Sequence, residues 1–194
     1  YSLSPKIDSW VLTALFERYA QTPECFTPDM LFAVNLSALS LCDEDFLGFI
    51  DAALTRSTMP PELLCFEITE TAAIGNLSRA VQFFNAMRAR GCRFALDDFG
   101  SGLSSFGYLR TLPVDFLKID GLFVRDCVDD PIDFAMVKSI NDIGHVMGIK
   151  TVAEFAENAA IEARMREIGI DYAQGYGISE PMPLAVFLDL PAGR

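Results

Sequence analysis

The sequence predicts an α/β fold in which one parallel sheet and its helices wind into a (β/α)8, TIM-like barrel. Three observations carry that prediction. Six apolar runs of strand length alternate with amphipathic segments at helical spacing, the order that builds successive βα units. Each run is apolar on both faces, which suits a parallel sheet covered by helices and not a half-solvated antiparallel one. Polar residues (Asn35, Glu67, Asp97, Asp98, Lys118, Glu154 and Gln174) fall at or near the C-terminal ends of successive runs. In a barrel those ends converge on one mouth, whereas an open doubly wound sheet would spread them along a line. A closed barrel needs about eight strands, so about two are expected to precede Tyr1. Residues 1–194 read as one domain, because no low-complexity linker interrupts the series.

The elements follow in order. Ser4 suits a helix cap, Pro5 the first helical position, and Ile7, Trp10, Val11, Ala14, Leu15 and Phe16 recur at helical spacing, which predicts a helix over 5–20. A buried strand over 31–37 precedes an acid-capped helix over 43–55. Residues 63–70 repeat the plan, with a helix over 77–90 closed by Gly91. Arg93 to Asp98 is the third strand, and 101–109 its short helix. The fourth strand, 114–120, is set off by Pro113 and leads into the longest of the helices that follow a strand, 131–147, which Gly148 ends. The fifth, 149–154, precedes a helix over 159–168 terminated by Gly169. Residues 171–176 form a sixth, weaker strand before a Pro-Met-Pro segment and a last short helix.

Composition narrows the chemistry. At 194 residues and 51% hydrophobic content, without a long uncharged apolar run, the chain reads as a soluble globular domain, and its start lacks the pattern of a secretion signal. A cytoplasmic setting is expected. The five cysteines include no CxxC pair and read as reduced packing residues. A net charge of −12 argues against a broad grip on DNA or RNA, whose binding draws on phosphate neutralisation by Lys and Arg. With His145 as the single histidine, a multi-histidine zinc or iron site is excluded. Catalysis would run on carboxylates, amides, lysine and a hard, oxygen-loving cation.

The stretch Arg93-Phe94-Ala95-Leu96-Asp97-Asp98-Phe99-Gly100-Ser101-Gly102 organises the site: a buried strand ends in two adjacent acids and breaks into a glycine-rich turn. Side chains alternate across a strand, so both acids share a face only if the turn redirects the second. Asp97 would suit a carboxylate bridging two metals about 3.5–4 Å apart. Asn35 and Glu67 could complete one metal's shell, and Asp98 and Glu154 the other's. Lys118 would orient the attacking water, with Glu154 the competing choice for general base. Proton abstraction beside a carboxylate, with Lys118 as base and one metal, also fits these residues, and so does a nonenzymatic role.

Taken in order, Asn35-Leu36-Ser37, Glu67-Ile68-Thr69-Glu70, Asp97-Asp98-Phe99-Gly100-Ser101-Gly102, Leu117-Lys118-Ile119-Asp120, Val152-Ala153-Glu154 and Gln174-Gly175-Tyr176 closely resemble the EAL domain family of cyclic di-GMP phosphodiesterases. The resemblance covers essentially the whole chain. It implies a (β/α)8 barrel of EAL type and Mg²⁺- or Mn²⁺-dependent hydrolysis of cyclic di-GMP to the linear dinucleotide pGpG, in bacterial second-messenger signalling. Position by position it implies metal binding by Asn35, Glu67, Asp97 and Asp98, and water activation by Lys118 and Glu154. It implies support of substrate and site by Gln174, Glu70, Asp120 and Glu157, with Glu70 holding the loop after Asp98. A homodimer and upstream regulatory domains, through which the protein could be tethered to a membrane, are implied as well. The alternative is a receptor that binds cyclic di-GMP without cleaving it.

Two departures stand out. Glu154-Phe155-Ala156-Glu157 places Phe155 where the family usually has glycine. The Glu-Ala-Leu signature, whose glutamate is a metal ligand in the family, occurs nowhere in the sequence and belongs on a strand expected upstream. The 194 residues alone are therefore expected to hydrolyse the nucleotide poorly or not at all.

Overall fold

The computed structural model describes residues 3–102 and 106–190. In chain order the elements are α1 (Ser4–Gln21), β1 (Phe32–Asn35), α2 (Ala38–Leu41), α3 (Glu44–Arg56), β2 (Leu64–Thr69), α4 (Glu70–Gly75), α5 (Leu77–Arg88), β3 (Arg93–Phe99), β4 (Phe116–Ile119), α6 (Gly121–Asp126), α7 (Pro131–Val146), β5 (Lys150–Ala153), α8 (Ala159–Ile168), β6 (Tyr172–Ala173) and α9 (Leu184–Leu188). The six strands form one sheet in the order β1-β2-β3-β4-β5-β6, and every neighbouring pair is parallel. Sequential order is the barrel's topology; a doubly wound sheet reverses its strand order part-way across.

The two faces of the sheet differ in a way that the strand period explains. Val34, Phe66, Ile68, Phe94, Leu96, Leu117 and Ile119 alternate onto one face and are buried in the main core with Leu12, Ile50, Phe84 and Val137 from the helices. Phe84 stacks on Phe94 with ring centroids 4.2 Å apart. Onto the other face fall Cys65, Ala95 and Phe116, a separate small apolar layer. That face lines a cavity of about 390 Å³, to which Ala33 of β1 and Tyr172 of β6 both contribute. Edge strands that share one cavity require a curled sheet. Among the described residues the architecture is a six-stranded half-barrel, with β1 and β6 each paired on one side only.

Capping sets the helix starts. Asp43, Asp120, Asp130 and Asn158 each accept hydrogen bonds from backbone N–H groups of the first turns of α3, α6, α7 and α8, groups that have no partner inside the helix. Gly169, left-handed at φ 88°, stops α8 as expected. Asp8 is buried in α1 and accepts from Ser37 N–H and Ser40 Oγ, which ties this helix to the corner after β1.

Four expectations are corrected. Ser4 lies inside α1, whose cap position is Leu3 and carries no side-chain hydrogen bond. Residues 101–102 and 106–109 form turns and bends instead of a helix, and 103–105 lie outside the described residues. The carboxylate of Glu70 accepts from Gly100 N–H and from the Tyr108 hydroxyl, and these side-chain bonds hold the segment's two ends where a helical ladder would not. The short α4 and α6 were not anticipated, and β6 is two residues long instead of six.

Candidate active site

The strand ends bring the acids together by a local irregularity. The ladder between β3 and β4 shifts register between Leu96 and Phe99, so Asp97 and Asp98 sit where pairing is interrupted. Asp98 takes the left-handed conformation at φ 55°, which a short polar side chain tolerates better than most. Such an irregularity re-aims side chains. Its consequence is that carboxylate oxygens of Asp97, Asp98 and Glu154 lie within 4.8 Å of one another.

Lys118, inward-pointing on β4, is the centre of the cluster. Its Nζ lies 3.0 Å from Glu67 Oε2, 2.8 Å from Asp97 Oδ1 and 2.9 Å from Glu154 Oε1, and its side chain is only 4% exposed. The three acids come from β2, β3 and the residue after β5, so one ammonium ties three strands. Burial alone would lower the lysine, but Glu67, Asp97 and Glu154 override it and hold the ammonium charged. Burial pushes both Glu67 and Glu154 up against the pull of Lys118, with Asp97 acting in the same direction as burial. Asp98 is raised too, by burial and then by Asp97 and Asp120.

The other expected residues surround this cluster at different depths. Asn35 is exposed at the end of β1, in register with Glu67. Glu70 is buried beneath the loop that it holds. Asp120 caps α6 through Leu122 N–H. Gln174 and Glu157 are exposed and, with Glu154, Phe155, Gly175 and Tyr176, line a cleft of about 440 Å³. Among these residues, Glu67, Asp97, Asp98, Lys118 and Glu154 meet. No sequence signal points to Tyr108 as the second partner of Glu70, or to Arg125, whose guanidinium lies 5.0 Å from the centroid of the Phe155 ring.

The cluster fits a hard divalent cation. When ionised, three carboxylates around one ammonium leave two negative charges unbalanced within hydrogen-bond distance. Asp97 Oδ1 is buried with the Lys118 ammonium 2.8 Å away and no other partner among the described residues, which leaves that oxygen with unused acceptor capacity. Oxygen donors of this kind are what Mg²⁺ and Mn²⁺ take.

The EAL domain family profile matches residues 1–181. The chain belongs to the EAL domain family. Among curated relatives, the cyclic di-GMP phosphodiesterase PdeB of Shewanella oneidensis is 45% identical to this EAL domain over 97% of the chain and 22% of its own length. The cyclic di-GMP phosphodiesterase PdeF of Escherichia coli is 35% identical over 95% of the chain and 24% of its own length. This chain thus spans about a quarter of the length of such relatives. Among solved structures, the PaMucR phosphodiesterase in complex with c-di-GMP matches with a TM-score of 0.87 at 31% identity, covering 94% of this EAL domain and 74% of that chain. The EAL domain of Mycobacterium smegmatis DcpA matches with a TM-score of 0.89 at 25% identity, covering 96% and 84%.

Proposed function

We propose that this EAL domain is the catalytic unit of a phosphodiesterase that opens cyclic di-GMP to the linear dinucleotide pGpG with Mg²⁺ or Mn²⁺. The carrying observation is the closure of Glu67, Asp97 and Glu154 on Lys118, with Asp98 beside them. The names of PdeB and PdeF, and the nucleotide bound to PaMucR, support the choice of substrate. Asn35, Glu67, Asp97 and Asp98 would hold the cations, which would supply charge neutralisation for the phosphodiester and activation of a water. Lys118 donates a hydrogen bond that orients the attacking water, and Glu154, two carboxylate oxygens on a buried stem, accepts its proton. Glu70 and Asp120 shape the rim from below, while Gln174 and Glu157 face the nucleotide.

Relatives about four times longer support a whole protein with further domains; that these are regulatory, that the protein is dimeric and that its catalytic part is cytoplasmic belong to the same proposal. The full barrel would be closed by strands beside β1. The test is Mn²⁺-dependent formation of pGpG by the full-length protein and by K118A and E154Q variants. Turnover in the parent that falls by about 10²-fold or more in the variants is the expected result. Nucleotide binding without turnover in the parent would make it a receptor, and neither binding nor turnover would overturn the reading.

A further inference from the structure

The segment after Glu154 contains a contact that the family resemblance does not explain. Phe155 adopts a left-handed backbone at φ 53°, a conformation unfavourable for a side chain with a Cβ and usually left to glycine. Something must hold it there. Its ring packs closely on Gly121: a Cβ at position 121 would come within 2.1 Å of the ring's Cδ2 and 2.6 Å of its Cγ. Arg125, one turn along α6, lays its guanidinium over the same ring. Behind Phe155, Ala156 is gripped by glycines, since a Cβ at Gly175 would come within 2.4 Å of Ala156 N. Ala156 N–H donates to Gln174 C=O, and Gly177 N–H donates to Ala156 C=O.

Phe155 is 47% exposed, so burying apolar area is a weak reason for a phenylalanine in a strained position. Its location gives a better one. Gly121 stands three residues beyond Lys118 at the end of β4, and Phe155 directly follows Glu154 at the end of β5. The ring contact therefore joins the same two strand ends as the 2.9 Å Lys118–Glu154 ion pair.

We propose that Phe155 is a positioning residue: its ring, packed against Gly121 and under Arg125, fixes the backbone after β5 so that the Glu154 carboxylate is held on Lys118. This rests on the catalytic reading above. A glycine at 155 would adopt the same backbone without strain but would not be held in it. Loss of the ring is expected to slow the chemical step and leave nucleotide binding largely intact, because misplacing a reacting group is felt mainly in turnover.

The experiment combines kinetics with a stability cycle in the full-length protein. F155G is expected to lower kcat at least about tenfold with KM within about twofold, and F155Y, which keeps the ring, to restore kcat. Thermal unfolding of G121A, F155G and the double variant tests the contact without reference to activity. G121A should lower the midpoint while the ring is present and have much less effect once it is gone, a non-additive cycle. An F155G protein that turns over like the parent overturns the proposal. So does a loss of kcat that F155Y does not rescue, or an additive cycle. If the parent itself lacks turnover, the catalytic reading fails, and the stability cycle still decides whether the contact exists.

Discussion

Lys118 concentrates the electrostatics of this protein in one side chain. An ammonium with three carboxylates around it is stable; three buried carboxylates without it are not. K118M is expected to lose about 3–5 kcal/mol of stability in EDTA, the range found when one partner of a buried ion pair is removed. Because a dication would then be the only compensation, Mn²⁺ should raise the melting temperature of K118M more than that of the parent. Differential scanning calorimetry with and without Mn²⁺ checks both expectations, and an equal metal response in the two proteins would show that the acids do not share a cation site. Asp97 and Asp98 could be recognised in the sequence as adjacent acids at a strand end before glycines. That Lys118 lies between Glu67, Asp97 and Glu154 could not, because it depends on β2, β3, β4 and β5 lying side by side in register.

Single elements are held by contacts of two kinds, packing on the helix side of the sheet and side-chain bonds at its edges. Phe94 of β3 is fully buried among Phe66, Phe83 and Phe84. F94A should cost about 3–5 kcal/mol, read as a lower urea midpoint, because the rings around the cavity cannot close on it completely. At the base of β5, Asp171 accepts from Lys150 Nζ, Thr151 N–H and His145 Nε2 and so joins β5, β6 and α7. Burial alone would raise its carboxyl, but the bonds from Lys150, Thr151 and His145 outweigh burial and hold it well below its ordinary value of 3.8. A depressed folded-state pKa contributes stability that is fully present above the unfolded value and is lost as pH falls through the folded one. D171N should therefore cost about 1–3 kcal/mol at neutral pH. The gap between parent and variant should narrow below about pH 4 in a pH series of chemical unfolding curves, and a gap that stays constant down to pH 2 would remove Asp171 from the acid response. The start of α3 is legible from Asp43 because a cap is a local interaction, and Asp130 and Asn158 act in the same way at α7 and α8. The turns at 101–102 and 106–109 are not legible in the sequence, because side-chain bonds from Glu70, distant in the chain, hold Gly100 and Tyr108 on either side.

On the scale of the whole molecule, among the described residues the curled sheet has a free edge at β1, whose backbone pairs with β2 alone. An unpaired strand edge is a template for another chain. A chain of these 194 residues is expected to self-associate through this edge as its concentration rises. A33K, which puts a charge on an exposed inward-facing position of β1, should reduce that association in light scattering without changing the circular dichroism spectrum. Unchanged scattering would mean that association uses another surface, such as the exposed Leu3, Ile7 and Trp10 of α1. The net charge of −12 opposes association in general, so the edge effect should strengthen as salt screens that repulsion.

By itself the sequence determined the alternation of strands and helices, the parallel sheet, and the presence of acids, an amide and a lysine at strand ends, because strand period, helix period and capping act over a few residues. It also carried enough ordered motifs to indicate the family. Only the tertiary structure decided that Glu67, Asp97 and Glu154 meet at one ammonium and that Asp98 turns back to join them. Only there does the Phe155 ring find Gly121. Each of these depends on the curl and register of the sheet, which bring together residues up to 87 positions apart, as Glu67 and Glu154 are (154 − 67). No local rule can specify a separation of that kind.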